Sequence, residues 1–346
     1  PVALPQESVW FLHRIDPENV ADHVWAAWTL EGEIDRDIVQ RTLDTLVTRH
    51  EALRIYVADD GDEASQRITD RFPAPLEYHS IKHLPADERE SEQDRILKAF
   101  YRRPFDLLSP PLVRFMLLEV ADNRHVMLWT GHHIIMDGGS LAVMQQDFAA
   151  CYAAYVEGRQ PQLAELEVQY PDFAVWQRNQ VAGDRLEELE AFWKKAIPDG
   201  LAPLELPIDR PRPAVQGFEG GDMPFHLPAD VTAAMRKTAG AAGCTLFVGF
   251  LATLKILLHR LTGQEDIAVG APMFLRDEPE LAPIVGMLLN TLPIATSLAD
   301  NPTCRDLMRR ERQALMGAFA HKQLPFQKLV EAVQPERDPS RNPLFQ

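Results

Sequence analysis

A mixed α/β fold in two lobes is what this sequence predicts, and three observations predict it. The 346 residues exceed what one ordinary compact core serves. Two apolar runs joined by a polar turn lead straight into an amphipathic helix near residue 140, which is strand and helix grammar in one stretch. The same mixed grammar returns after a proline-rich interval. The boundaries read from this pattern are 1–175 for an N-terminal lobe and 176–346 for a C-terminal one.

Taken in order, the first clear element follows Asp35, where Ile38, Val39, Leu43, Leu46 and Val47 recur at helical spacing behind an acidic cap and run towards Arg49. Leu112 to Val120 and His125 to Thr130 read as two strands, with Ala121-Asp122-Asn123-Arg124 as the turn between them. Gly131-His132-His133 comes next. After Asp137-Gly138-Gly139-Ser140, the residues Leu141, Met144, Phe148, Tyr152 and Tyr155 mark one face of a helix that Gly158 ends. Seven prolines between Pro198 and Pro228 interrupt any regular pattern and predict a surface passage between the lobes. Beyond it, Thr245 caps a long apolar helix ending near Gly263, Ile267 to Gly270 reads as a strand, and Thr303 to His321 as a further helix.

Composition narrows the function classes. Lys and Arg number 35 against 51 Asp and Glu, and the resulting charge of −16 repels nucleic-acid backbones and anionic membrane surfaces. The three cysteines, Cys151, Cys244 and Cys304, are spaced too widely for a local metal motif or a disulfide framework, which fits a reducing, cytoplasmic setting. No apolar run has the length of a membrane span, and the opening PVALPQESVW lacks a signal-peptide design.

Chemically useful groups crowd one strand-to-helix turn, His132-His133-Ile134-Ile135-Met136-Asp137-Gly138. A histidine ordinarily titrates near pH 6.5 and can accept a proton, which contributes about 10² to 10⁴ in rate when well placed. Successive strand side chains point to opposite faces, so one imidazole is expected to face substrate, His133, while His132 packs inward and holds the turn. Asp137 sits where it can bond structurally or pair with an arginine as readily as touch substrate, and the Gly138 N–H is placed to donate to a developing oxyanion. His133, His132, Asp137 and Gly138 are therefore the candidate catalytic residues. Asp137-Gly138-Gly139-Ser140-Leu141 also looks like a carrier-protein attachment site, but it lacks the residue those sites place between the glycines and the serine.

These residues match the HHxxxDG motif of nonribosomal-peptide-synthetase condensation domains, and six further blocks resemble that family in order. They are Gln6 to Leu12, Arg49 to Arg54, Tyr170 to Trp176, Val285 to Thr291, His321 to Phe326, and Arg337 to Leu344. The resemblance implies two chloramphenicol-acetyltransferase-like lobes in a V-shaped pseudo-dimer, with a tunnel between them. It implies an amide-forming acyltransferase of the type taking an L-configured donor. Donor and acceptor peptidyl carrier proteins would present the substrates on phosphopantetheine arms, beside a neighbouring adenylation domain and with no metal or directly bound cofactor. By the same resemblance Arg276 would pair with Asp137, and Arg276, Asn290, Ser140 and Trp176 would line the tunnel or support it. Family members continue past the final block, so the C-terminal lobe is expected to be shortened at Gln346. Ser8, Gly139 and Ala295 depart from the residues common at their positions, which bears on subtype more than on chemistry. The alternatives are an ester-forming or product-releasing acyltransferase of the same superfamily and a non-catalytic domain that recruits partners. Relatives of that last kind typically alter the paired histidines, which are intact here.

Overall fold

The computed structural model describes residues 1–59, 64–221, 223–336 and 338–345. Of the sequence blocks above, Arg337 lies outside the described residues. Along the chain run α1 (Leu4–Ile15), β1 (His23–Glu31), α2 (Arg36–Arg49), β2 (Ile55–Asp59), β3 (Ala64–Ile68), β4 (Leu76–Ser80), α3 (Ala86–Tyr101), β5 (Val113–Ala121), β6 (Arg124–His132) and α4 (Gly138–Val156). There follow α5 (Tyr170–Gln180), α6 (Gly183–Ala196), α7 (Ala229–Ala241), α8 (Leu246–Thr262), β7 (Asp266–Phe274), β8 (Leu289–Ser297), α9 (Cys304–Ala320) and α10 (Phe326–Val333). The fold is mixed α/β. Packing divides it into two units, 1–179 with 276–289, and 180–275 with 290–346. The segment 276–289, which a division at 175/176 gives to the second half, packs with the first unit.

In the first unit a four-stranded sheet has the order β1-β6-β5-β4, with β5 parallel to β4 and antiparallel to β6. The two central strands are buried along almost their whole length, as expected when helices cover both faces. Met116, Leu118, Val120, Val126 and Leu128 point to one face and join Phe100, Ile96 and Leu97 of α3. The alternate residues point the other way, where Trp129 meets Phe148 of α4 at 5.5 Å and Phe115 at 6.0 Å between ring centres. The Asp35 side chain accepts from the N–H groups of Asp37 and Ile38 and so starts α2, which packs its Val39, Leu43, Leu46 and Val47 face inward.

The second unit holds α7, α8, α9 and the β7–β8 pair around Leu204, Val248, Ala252, Ile267, Leu298 and Leu307. Thr245 caps α8 through the Val248 N–H, and Gly263, with φ of 73°, ends it in the left-handed conformation glycine adopts freely. A fully buried ion pair crosses this core, Lys255 Nζ to Glu311 at 2.9 Å, with Lys255 also donating to the Ile294 carbonyl. Among the described residues no regular element occurs between Ala196 and Ala229, in line with the proline-rich sequence there.

Candidate active site

The site begins where β6 ends. Gly131 precedes the histidines, and a Cβ there would lie 2.4 Å from the Met136 sulfur and 3.3 Å from the Leu112 carbonyl oxygen. The chain then turns tightly, with the Ile135 N–H donating to the His132 carbonyl at 3.0 Å. Ile134, Ile135 and Met136 are all fully buried, so the three apolar residues of the motif anchor the turn from below. Buried Gln6 of α1 fixes it from outside the strand by donating from Nε2 to the Ile134 carbonyl at 2.7 Å.

The two histidines have different surroundings. His132, still in the strand, is buried and sits in a group of rings with centroids 6.0 Å away at His13, 5.9 Å at His23 and 6.4 Å at Phe105. Its Nδ1 accepts from the Ile134 N–H at 3.2 Å, which places any ring proton on Nε2. Burial pushes this imidazole well below the ordinary histidine range, and the nearby His23, His13 and His133 add to the push. Burial therefore favours its neutral form. His133 stands in the turn rather than on the strand, partly exposed, with its Nδ1 buried and without a hydrogen-bond partner. Its backbone N–H donates to the Asp22 carbonyl at 2.7 Å and so carries the β1–β6 pairing one residue beyond His23↔His132.

Asp137 closes the turn as a hub. Its Oδ1 accepts from the Ser140 N–H at 2.7 Å and from Arg276 Nη2 at 2.9 Å, and its Oδ2 from the Leu288 N–H at 3.0 Å. Ser140 Oγ lies 2.8 Å from Asp137 Oδ1 and 2.9 Å from the Gly286 carbonyl oxygen, and with one proton it donates to one of them at a time. The same oxygen accepts from the Gly286 N–H at 3.0 Å. Arg276 further donates to the Leu281 and Ile284 carbonyls at 3.1 and 2.5 Å. The carboxylate thus starts α4 and ties the segment 276–288 to it, all within the first unit. The Arg276–Asp137 pair that the resemblance implies is present.

Gly138 opens α4, is exposed, and has nothing within 4 Å of where a Cβ would stand. Backbone there is open to close approach. Trp176 lies half-buried on α5, tilted against Phe173 at 5.9 Å. Asn290 belongs to the second unit, where its buried Nδ2 donates to the Lys322 and Leu324 carbonyls at 2.8 and 2.7 Å. That settles the need for a partner and holds the block around residue 322 in place. Gln6, Asp22 and His13 were not singled out in the sequence as site residues. The signal for Gln6 was its place in the opening block, whereas Asp22 and His13 carried none.

Comparison with known proteins follows the same lines. The family model described as "Condensation domain" matches residues 1–346. A linear gramicidin synthase chain of Brevibacillus parabrevis is 39% identical over 346 residues, covering 100% of this chain and 7% of that protein. Phosphinothricin tripeptide synthetase of Streptomyces viridochromogenes is 36% identical, covering 100% of this chain and 32% of its own length. Among solved structures, the X-domain from teicoplanin biosynthesis superposes with a TM-score of 0.88 at 28% identity, over 100% of this chain and 76% of that one. A four-domain nonribosomal peptide synthetase bound to AMP and glycine gives a TM-score of 0.86 at 25% identity, over 100% of this chain and 26% of that one. The chain spans a small part of the length of the synthetases it matches. It belongs to the condensation-domain family, the acyltransferases with which nonribosomal peptide synthetases form peptide bonds.

Proposed function

We propose that this chain joins a carrier-bound acyl or peptidyl thioester to a carrier-bound aminoacyl acceptor, with His133 as the base. The observation that carries the reading is the division of labour between the histidines. One ring is buried, neutral and bonded into the turn, while its neighbour is partly exposed on a backbone that Gln6, Gly131 and three buried apolar residues hold rigid. The acceptor nitrogen attacks the thioester carbonyl, its surplus proton passes to His133, the C–S bond breaks, and the departing thiolate takes that proton up. Gly138 offers its N–H to the oxyanion, and Asp137 with Arg276 and Ser140 positions the turn. An α-amino group titrates near 7.7 to 8, so a useful fraction of acceptor is neutral without help. Holding the reactants in attack geometry therefore supplies the larger share, up to about 7 to 11 kcal/mol.

The wider reading comes from the family likeness. It comprises two lobes, 1–175 and 176–346, set as a V about a tunnel, with Asn290 and Trp176 in its support. It also comprises pantetheine arms entering from two carrier proteins, a neighbouring adenylation domain in a longer synthetase, and a cytoplasmic setting. Among the described residues no single helix is long and apolar enough to cross a membrane. A structure described as a complex of the teicoplanin X-domain with OxyB gives partner recruitment as a second reading, at 28% identity to this chain.

Intact-mass detection of acyl transfer between loaded carrier proteins separates the two. Product is expected with the unaltered protein, and His133→Ala is expected to lower turnover at least about 100-fold with folding unchanged. Wild-type turnover in that variant removes His133 from the chemistry. Silence of the unaltered protein with every carrier pair favours recruitment.

A further inference from the structure

We infer that the second unit carries a docking groove for an acidic peptide in extended conformation, walled by α6 and α9 and floored by the free edge of β8. The groove lies wholly within that unit, and the inference is independent of the role given to His133.

Helical spacing puts Arg310, Gln313, Ala314 and Gly317 on one face of α9, and all four line a groove of about 490 Å³. That volume falls in the range of roughly 300–1,000 Å³ in which proteins hold ligands. Phe192 of α6 closes one end, with its ring stacked on His321 at 3.7 Å and its Cζ 2.9 Å from where a Cβ on Gly317 would stand. Trp193 fixes α6 there by donating from Nε1 to the His321 carbonyl at 3.1 Å. The floor is β8 from Pro293 to Ser297. Among the described residues β8 is hydrogen-bonded to β7 alone, so its other edge is unpaired. Successive residues of a strand turn their backbone groups to opposite edges. The Leu298 N–H donates to the Glu265 carbonyl, beside β7, at 2.8 Å, so Ser297, Ala295 and Pro293 face the open edge. Arg310 reaches that edge from α9 by donating from Nη1 to the Ser297 carbonyl at 2.9 Å. Ala295 thus offers an N–H and a carbonyl to an incoming chain, and Pro293, which has no N–H, ends the pairing.

Charge sets the chemistry of the occupant. The protein carries −16, yet Lys195 and Arg310 line the groove and, among the described residues, no carboxylate does. Lys195 is exposed and has no ion-pair or hydrogen-bond partner among those residues. The bonds of Arg310 to the Ser297 and Ala299 carbonyls use Nη1, which leaves Nε and Nη2 for a ligand. Glu311, next to Arg310 in sequence, is buried and neutralised by Lys255 at 2.9 Å. The same lysine donates to the Ile294 carbonyl at 2.8 Å and the Thr296 hydroxyl at 3.0 Å, so the floor is held in place before anything binds. Two cations beside an open strand edge suit a ligand that brings carboxylates and main-chain amides together. An acidic peptide does both, whereas a small anion engages the cations alone. Phe192, Pro293 and Ala314 give its apolar side chains a wall.

The test is fluorescence anisotropy of labelled peptides with the unaltered protein, Lys195→Glu and Arg310→Gln, each verified by thermal melting. The probes are a short peptide alternating glutamate and valine, its lysine–valine counterpart, the glutamate peptide with N-methylated amides, and free glutarate as competitor. The glutamate peptide is expected to bind, more weakly as salt rises, and the lysine peptide to bind at least about 10-fold more weakly. Lys195→Glu removes an exposed, unpartnered cation and so leaves the fold intact. It should weaken binding at least about 10-fold while acyl transfer stays unchanged. N-methylation should cost at least about 10-fold through the lost pairing with Ala295. No binding of the glutamate peptide, equal binding of the lysine peptide, or binding that Lys195→Glu and Arg310→Gln both leave unmoved overturns the inference. Binding that N-methylation leaves unmoved, or that glutarate matches in affinity, overturns it in favour of a site for small anions.

Discussion

Asp137 shows how fully the hydrogen-bonding capacity of a motif residue can be taken up inside the protein. Its side chain is fully buried, and Arg276, the Ser140 and Leu288 N–H groups and the Ser140 hydroxyl surround its oxygens. Removing one member of a buried pair leaves the other charge without compensation, which typically costs about 3–5 kcal/mol. Asp137→Ala should therefore lower unfolding stability by about that amount in urea titration, and adding Arg276→Ala should cost far less than the sum of the two. Undiminished stability with lost transfer would return Asp137 to the chemistry. At this scale the sequence was partly legible: an aspartate three residues before a serine at a helix start reads directly as a cap. The pairing with Arg276 came only through family likeness, because nothing local marks which of many arginines will fold back on a given acid. Asp22 was invisible for the same reason and Gln6 showed only as the first residue of a block, since each meets the turn from a distant part of the chain.

Elements were read best where their signals are local. The hairpin of β5 and β6, α2 behind Asp35 and α8 between Thr245 and Gly263 fall within a residue or two of their expected limits. The strand order β1-β6-β5-β4 and the return of 276–289 to the first unit were not legible, because both depend on which distant surfaces complement one another. Gly286 marks that return. A Cβ there would lie 2.0 Å from Cδ2 of Tyr170, a fully buried ring whose hydroxyl donates to the Met287 carbonyl at 3.3 Å. The ring has no room to yield. Gly286→Ala should cost about 1–3 kcal/mol by overpacking. Gly240→Ala, on an exposed helical position of α7 with open space around it, should stabilise by about 0.4–1 kcal/mol. Thermal melts of the two variants would move in opposite directions, and a destabilised Gly240→Ala would contradict the account of that helix.

For the whole molecule, two effects of pH oppose each other. The charge of −16 at neutral pH falls towards zero near the sequence isoelectric point of about 5.1, so acidification relieves self-repulsion. Against this, burial holds His13, His23, His50, His125 and His132 below the ordinary histidine range. For a group depressed in the folded state the unfolded chain binds protons first, so stability is present above the unfolded value near 6.5 and is lost as pH falls towards the folded one. Asp22 and Glu311, both pushed up by burial, work in the opposite sense, and they are fewer. The depressed carboxyls, such as Glu119 at about 2, matter only at lower pH. The histidines should prevail, and all five lie in the first unit. Between pH 7 and 5 the melting midpoint should fall by about 5 °C or more, with amides of β5 and β6 losing exchange protection before those of α8 and α9. Tryptophan emission follows the same event, since Trp10, Trp25, Trp28, Trp129 and Trp176 belong to that unit and Trp193 to the other. A midpoint that holds or rises on acidification would mean that relief of the global charge outweighs the protonation of buried rings.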